Sequence, residues 1–356
     1  MLYRLFIGCY TSKHQAPGGE GIYLCDFDGE ALTLTDVSVA TDVINPSWLA
    51  FSARENVLYA AEECSERSRI SAFRVDGSRL TLLRRITTEE RNLCHLTLWP
   101  DGRFLTASSY SSGSLITVSL REDGAPDSVT DRAEHEGSGP HPRMQKSAHV
   151  HSAFLFPDWQ RILVSDLGND TLTVYSLDPG AGKLHPEQVI PLEPGEGPRH
   201  AAFSPDGQYV TVAAQLGNHF HVFPVTAAGL GPRIQTADMC PADYNEPCEG
   251  AADVHYSADG RLLYGSNRGH NSIVSFRVHP DGTLTEPRWA SCGGDGPRSF
   301  CLSRDGRFLF IANQYSGNVI VKRMTPRGEI GETVAEEKIP QAVFVAEYPP
   351  AQNTNS

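Results

Sequence analysis

One pattern recurs along this chain: an alternating apolar strand, a tight turn that contains aspartate, and a second apolar strand. The clear copies are RHAAFSPDGQYVTV (199–212), DVHYSADGRLLY (253–264) and RSFCLSRDGRFLFI (298–311). Weaker copies begin at His95 and His151, and a degenerate copy begins at Ser47. Because each copy carries the same strand–turn–strand information, the chain is constrained to fold as a series of similar units.

The spacing of the copies indicates which repeat architecture forms. The aspartates of the five clearest turns follow one another at intervals of 57, 48, 53 and 46 residues, at Asp101, Asp158, Asp206, Asp259 and Asp305. A period of about 40–50 residues built only from strands and tight turns is typical of a β-propeller blade. No capped amphipathic stretch of helical period interrupts the pattern. The chain is therefore predicted to be all-β.

The two ends of the chain complete the count of blades. Three N-terminal strand segments (5–10, 21–27 and 32–40) have no inner strand of their own, and the C-terminal strand 342–348 has no blade. Pairing them would leave no exposed sheet edge. We therefore expect one seven-bladed propeller domain over residues 1–356, closed by the N- and C-terminal strands, with roughly 50 residues per blade.

In a propeller the start of each repeat lies on the inner strand, beside the central channel. This places His95, His151, Arg199, His255 and Arg298 around one axis. Side chains of a strand alternate between its two faces. Of the neighbours Arg199 and His200, only one is therefore expected to face the channel.

Charge and cysteine content exclude several classes of protein. The net charge of −13 disfavours nucleic acid and anionic membranes as partners, since these bind concentrated lysine and arginine. The eight cysteines form neither a CxxC motif nor a zinc-site spacing, and no secretory pattern or apolar run of about 18 residues is present. We expect a reduced, cytoplasmic protein, monomeric or weakly self-associating, in which any anionic ligand is held by a local cluster of basic residues.

Three arginines are candidates for holding such an anion. Arg199 and Arg298 each follow a Gly-Pro pair at the first residue of an inner strand, and Arg268 lies in the segment SNRGH. A planar guanidinium suits carboxylate or phosphate. Arg199 and Arg268 are predicted to bind an anion, while Arg298 either does the same or bridges two blades.

The histidines supply a candidate base. An imidazole beside arginines stays neutral at physiological pH, which makes His151 the preferred general base and His149 the second choice. His95 and His255 are favoured as structural residues, with substrate contact as the alternative. Tyr110 is interpreted as part of a strand-end turn.

No metal or cofactor is predicted. The pairs 149/151 and 219/221 have the i, i+2 spacing of two ligands on one strand, but the sequence fixes no carboxylate or third histidine near them. The longest irregular stretches, 125–148 and 236–251, are expected to be loops that enter one rim of the ring, where function is common.

Several segments together resemble a known family, and the likeness covers essentially the whole chain. They are NPSWLA (45–50), HVHSAFLFPD (149–158), GPRHAAFSPDGQYV (197–210), AADVHYSADGRLLYGSNRGHNSI (251–273) and PRSFCLSRDGRFLFIANQ (297–314). They are similar to the seven-bladed propeller lactonases, which include bacterial 6-phosphogluconolactonases and fungal 3-carboxy-cis,cis-muconate cyclases.

The resemblance implies a metal-free site made of a histidine, two arginines and a glutamate. The first three fall on His151, Arg199 and Arg268. The glutamate position is occupied by Gln215, in AAQL, which cannot carry a proton or a charge at neutral pH. Glu63, in AAEE, is a candidate for supplying a carboxylate from elsewhere on the ring.

Three functions remain open on the sequence. The first is hydrolysis of a small anionic sugar lactone, with 6-phosphogluconolactone as the substrate that the resemblance implies. The second is cyclisation of a carboxymuconate with His151 as proton donor. The third is a non-catalytic propeller that binds a sugar acid or a protein, which Gln215 favours.

Overall fold

The structure is a computed structural model that describes residues 1–12 and 17–348, with nothing described of the side chain of Asp36. Within these ranges every regular element is a β-strand, as the sequence predicts. None of the described residues forms a helix with the length and apolarity needed to cross a membrane.

The strands form seven antiparallel sheets, and each sheet is one blade. The inner strands, which contact one another in ring order, are β4 (Pro46–Ser52), β8 (Leu93–Leu98), β12 (Val150–Leu155), β16 (Pro198–Phe203), β21 (Ala251–Tyr256), β25 (Pro297–Leu302) and β29 (Ala342–Glu347). The second strands are β1 (Leu2–Cys9), β5 (Val57–Glu62), β9 (Phe104–Ser109), β13 (Arg161–Asp166), β17 (Tyr209–Ala214), β22 (Leu262–Asn267) and β26 (Phe308–Asn313).

The outer half of each blade follows the same order. The third strands are β2 (Ile22–Asp28), β6 (Arg69–Asp76), β10 (Ser114–Leu120), β14 (Thr171–Asp178), β18 (His219–Thr226), β23 (Ser272–Val278) and β27 (Asn318–Met324). The outermost strands are β3 (Thr33–Thr41), β7 (Arg79–Thr87), β11 (Pro126–Glu134), β15 (Lys183–Pro191), β20 (Gln235–Asp238), β24 (Leu284–Ser291) and β28 (Ile330–Lys338). A two-residue strand, β19 (Gly229–Leu230), also pairs with β18.

The ring closes as the terminal segments predict. β29 pairs with β1 in the sheet β29-β1-β2-β3, so the last inner strand of the chain completes the first blade. Leu5 lies opposite Glu347 and Ile7 opposite Val345 in this pairing. Closure therefore depends on contacts between the two ends of the chain.

An aromatic cluster packs the closing blade against its neighbour. Phe27 of β2 has no exposed surface, and its ring lies 4.9 Å from Phe308 and 5.8 Å from Phe310 of β26. Tyr3 of β1 joins the same cluster at 5.9 Å from Phe27. Rings at these separations make favourable edge contacts in addition to burying apolar area.

Phe27→Ala is expected to lower the free energy of unfolding by about 3–5 kcal/mol, because it leaves a cavity between two blades. Urea unfolding followed by fluorescence measures this loss. Val189→Ala is the control, since Val189 is 61 % exposed and its truncation should change stability by about 0.5 kcal/mol or less. A loss below about 1 kcal/mol for Phe27→Ala would show that this packing does not hold the closure together.

A β-bulge near the start of every inner strand determines what reaches the channel. In β16, Pro198 pairs with Ala214 and His200 with Ala213, so Arg199 is an extra residue. The extra residues of five other blades are Ser47, Cys94, His151, Arg298 and Val343. In the remaining blade, two residues of β21, Ala252 and Asp253, lie opposite a single residue of β22. Strict alternation of side chains is interrupted at such a bulge.

The two stretches predicted to be irregular are only partly so. Residues 126–134 form β11, the outermost strand of its blade, and 235–238 form β20. Both strands are largely polar because they lie at the rim of the ring and bury little surface, which weakens the hydrophobic alternation that marks a strand. The remaining irregular residues, 135–149 and 239–250, lead directly into inner strands.

Candidate active site at the channel mouth

Two positions of every blade lie at the same end of the channel, which we call the mouth. One is the extra residue of the inner strand, and the other is the residue that follows the second strand. The backbone N–H of the latter donates in all seven blades to a carbonyl just before the inner strand, as from Gln215 to Gly197 at 2.8 Å. These second positions are Tyr10, Glu63, Tyr110, Leu167, Gln215, Arg268 and Gln314.

The Gly-Pro pair before Arg199 has a local structural reason. Gly197 has a φ of 59°, a conformation that favours glycine, and an added Cβ would lie 2.6 Å from Cγ of Leu216. Glycine therefore allows the chain to turn tightly into β16. The turn delivers Arg199 to the bulge at the mouth.

Arg199 contacts both His151 and Gln215 at the mouth. Arg199 Nη1 donates to His151 Nε2 at 2.5 Å and to Gln215 Oε1 at 2.9 Å. Arg199 Nε donates to the carbonyl of Ala252 at 3.0 Å, which holds the guanidinium across the mouth. Since a guanidinium can only donate, His151 Nε2 accepts and the imidazole is neutral.

Positive charge at the mouth shifts the pKa of these groups. Burial, with the cations Arg199, Arg298 and Arg268 adding to it, lowers the pKa of His151 well below its usual value. Burial, Arg268 and Arg298 similarly lower the pKa of Arg199. The pKa of Arg268 falls to about 10, through burial and then Arg298. Three mutually repelling cations favour the entry of an anion.

The pKa of Arg298 is shifted in the opposite direction from those of Arg199 and Arg268. Burial alone would lower its pKa, but Tyr10 and Glu63 raise it above its usual value. Its guanidinium lies 5.3 Å from the centre of the Tyr10 ring, and Tyr10 donates its hydroxyl to Glu63 Oε2 at 2.8 Å. The Glu63 carboxylate therefore lies at the mouth, on the side of Arg298.

Tyr110 lines the mouth beside His151 and is more than a turn residue. Its ring is stacked on that of His149 at 4.2 Å and lies edge-on to His151 at 5.8 Å. His149 Nδ1 donates to the carbonyl of Tyr110 at 2.7 Å. Tyr10 and Tyr110 occupy the same position in the repeat as Gln215 and Arg268. That shared position is a signal by which the sequence could have revealed both tyrosines.

Below the mouth, His95 and His200 form an aromatic layer in the channel. The His200 ring lies 5.8 Å from His95, 5.3 Å from His151 and 5.2 Å from Trp48. Its Nδ1 is 3.0 Å from Asp253 Oδ1. The expectation that only one of Arg199 and His200 faces the channel is therefore wrong, because the bulge turns both inward. His95 supports the site from below.

His255 lies further along its strand from the mouth than the other candidate residues. It is three residues beyond Ala252 along β21, a distance of about 10 Å at the usual rise of a strand. Its side chain is 40 % exposed, and its Nε2 lies 3.2 Å from Asp253 Oδ2. It lines a cleft of ≈ 1250 Å³ near the aspartate turns of two neighbouring blades. The alternative that His255 contacts a substrate at the mouth is thus not supported by its position.

Two cysteines differ from the expectation of a fully reduced chain. Cys240 and Cys248, in the loop that leads to β21, form a disulfide. Nδ2 of Asn267 is 3.5 Å from both sulfur atoms, and Asn267 directly precedes Arg268. The disulfide therefore closes a short loop next to one arginine of the mouth.

Comparison with known proteins identifies the family. The family model described as "Lactonase, 7-bladed beta-propeller" matches residues 4–347. The chain belongs to the seven-bladed β-propeller lactonase family. This lactonase-family propeller is 31 % identical to a 6-phosphogluconolactonase of Bacillus subtilis over 89 % of each chain. It is 30 % identical to a 6-phosphogluconolactonase of Formosa agariphila over 96 % of each.

Solved structures give the same assignment. The periplasmic gluconolactonase of Pseudomonas aeruginosa superposes with a TM-score of 0.91 at 32 % identity, covering 98 % of this chain and 99 % of that one. The resemblance inferred from the repeated segments and the predicted seven-bladed fold are both confirmed.

Proposed function

We propose that this protein is a lactonase that hydrolyses a small anionic sugar lactone at the channel mouth. The observation that carries the proposal is the contact between His151 Nε2 and Arg199 Nη1, inside a ring that also holds Arg268 and Arg298. This arrangement places a neutral base, a fixed cationic donor and two further cationic side chains at one end of the channel. Family membership supports a hydrolase of lactone esters.

The chemistry begins with an exchange of hydrogen bonds. A lactone carbonyl that enters the mouth takes the N–H of Arg199 that His151 Nε2 accepts in the structure. This exchange frees Nε2 to take a proton from a water molecule as that water attacks the carbonyl carbon. Arg199 then stabilises the oxyanion. As the C–O bond of the ring breaks, the protonated His151 returns its proton to the ring oxygen, which leaves as a hydroxyl.

Binding of an anionic substrate also tunes the base. The depressed pKa of His151 makes it a weak proton acceptor before substrate binds. A phosphate or carboxylate that pairs with Arg268 and Arg298 removes part of the positive field and raises that pKa towards neutrality, where a general base works best. The anionic group thus contributes to catalysis as well as to binding.

The proposed substrate is 6-phosphogluconolactone. The names of the Bacillus and Formosa relatives support it, and so does the concentration of guanidinium groups in a protein of net charge −13. A dianionic phosphate is the partner that such a cluster binds best. A cytoplasmic location is part of this proposal, because phosphorylated sugars are retained there.

Parallel assays of 6-phosphogluconolactone and unphosphorylated gluconolactone, with spontaneous hydrolysis subtracted, test the substrate. We expect kcat/KM to be at least 10-fold higher for the phosphorylated lactone. Arg268→Met should raise KM for that substrate by about 10-fold or more, since a charge-assisted contact contributes 1.5–3 kcal/mol. The same substitution should change the KM for gluconolactone by about 3-fold or less. Equal losses for both substrates would contradict a phosphate-binding role of Arg268.

Gln215 keeps a second function open, that of a non-catalytic sugar-acid binder. Its amide accepts from Arg199 without adding negative charge, unlike the glutamate that the resemblance implies. This alternative predicts that 6-phosphogluconate binds in calorimetry while no lactone is turned over. Turnover of either lactone by the wild-type protein, abolished by His151→Gln, would exclude it. A 3-carboxymuconate included in the same assays tests the cyclase alternative.

A further inference from the structure

A cluster of ligating side chains lies outside the channel, on the blade that carries Arg199. His219 and His221 are two residues apart on β18, and Glu196 comes from the loop before β16. Glu196 Oε2 is 3.0 Å from His219 Nδ1 and 2.8 Å from His221 Nε2. One ligating atom from each of the three residues lies within 4.8 Å of the other two. The carboxylate that the sequence lacked near 219/221 is thus brought in by the fold.

The outward-facing nitrogens of both imidazoles have partners of their own. His219 Nε2 is 3.4 Å from Asp238 Oδ1, and His221 Nδ1 is 3.2 Å from Thr236 Oγ1. Both partners lie on the outermost strand of the blade, β20. In metal sites the non-ligating nitrogen of a histidine is usually held in this way, which sets the direction of the ligating nitrogen. Here the two inward nitrogens, Nδ1 and Nε2, converge on Glu196.

The loop that carries Glu196 is held in place by backbone bonds. The Glu196 carbonyl accepts the N–H groups of Leu216 and Gly217 at 3.0 Å each. An added Cβ at Gly217 would lie 2.2 Å from Glu196 Oε2, so the carboxylate occupies the space beside this glycine. The cluster is therefore built on the same turn that presents Gln215 to the mouth.

We propose that Glu196, His219 and His221 form a binding site for a divalent transition-metal ion, with Zn²⁺ as the preferred ion. Two imidazoles and one carboxylate are ligands that zinc accepts at about 2.0–2.2 Å. Tetrahedral geometry requires ligand atoms about 3.3 Å apart. The two distances to Glu196 Oε2 would open by a few tenths of an ångström, and the two imidazoles, whose ligating atoms lie within 4.8 Å of one another, would adjust around the ion. His221 is buried and His219 is 28 % exposed, which leaves a side for a water ligand.

Arg233 is the neighbouring cation that opposes this proposal. Its Nη1 lies 3.4 Å from His221 Nδ1, but the guanidinium is engaged by both carboxylate oxygens of Glu193. Glu193 and Asp238 offset its charge. The competing interpretation is an ion-paired cluster that holds the loop without any metal.

Metal binding to the tag-free, EDTA-treated protein separates the two interpretations. Titration with Zn²⁺ in a calorimeter should give about one equivalent bound with micromolar or tighter affinity. Co²⁺ should produce absorption bands between about 500 and 650 nm, as expected for a four-coordinate site. Glu196→Gln and His219→Gln should each weaken Zn²⁺ binding at least 30-fold. Because His219 is partly exposed, we expect the His219→Gln variant to fold normally.

Two control variants locate the site. His185→Gln removes an exposed histidine, and His151→Gln removes the imidazole of the mouth; both should bind Zn²⁺ as the wild type does. The proposal is overturned if the wild type shows no saturable binding up to 1 mM, if His219→Gln binds unchanged, or if His151→Gln abolishes binding. None of these binding measurements depends on lactone turnover, so they test the metal site separately from the proposed function.

Discussion

Arg199→Met is expected to lower kcat for lactone hydrolysis by about 10²–10³-fold. Arg199 donates hydrogen bonds to both His151 and Gln215, and it would hold the oxyanion as the carbonyl is attacked. Removing a single oxyanion donor typically costs this much. Steady-state kinetics with spontaneous hydrolysis subtracted measure the loss, and methionine keeps most of the buried volume.

The matched control and the partner variant sharpen this test. Arg103→Met removes an arginine bonded to Asp101 in an exposed turn, and it should leave kcat unchanged. His151→Gln should lower kcat by about 10²–10⁴-fold, and the double variant should lose much less than the product of the two single losses. If either single variant stays within a few-fold of the wild type, the mechanism is wrong.

Gln215→Glu is expected to move the acidic limb of the kcat/KM profile upward by about one pH unit or more. In the wild type the pKa of His151 is held well below its usual value, so the base is deprotonated and kcat/KM should be flat from pH 8 to pH 6. A carboxylate bonded to Arg199 would sit about 5–6 Å from the imidazole. At an effective dielectric constant of about 20, its charge stabilises the imidazolium by roughly 3 kcal/mol, less the part screened by Arg199.

The sign follows from the role of the base. A higher pKa means that His151 becomes protonated at a higher pH, so activity is lost earlier as the pH falls. Gln160→Glu, in an exposed turn, adds the same charge and should leave the profile in place. A Gln215→Glu profile that superposes on that of the wild type would show that His151 is not the titrating base.

How far the sequence could go is clearest at the arginines. Arg199 and Arg298 were located by a Gly-Pro pair, and the structure places both at the mouth because a bulge follows that pair in the blade. Arg268 is a candidate from its own segment, SNRGH, whereas Gln215 is found only through the resemblance. Tyr10 and Tyr110 were missed, although they occupy the same position of the repeat.

Other relations could not be read along the chain. Glu196 is more than 20 residues from His219, and nothing in its local sequence points to β18. The sequence grouped His255 with His95 around the channel axis, yet His255 lies four residues before Asp259 whereas His95 lies six residues before Asp101. Its side chain therefore lies further along its strand from the mouth. Such placements depend on the register of each strand and on its bulge. The alternation of apolar residues does not reveal the extra residue that a bulge adds.

The repeat of strands and aspartate turns by itself determined the blades, their number and the closure of the ring, since hydrophobic alternation and turn chemistry are local properties that the residues carry wherever they fold. Only the tertiary structure decided which side chains meet. An extra residue in each inner strand breaks the alternation, and ring closure then brings together His151 and Arg199, which are 48 residues apart.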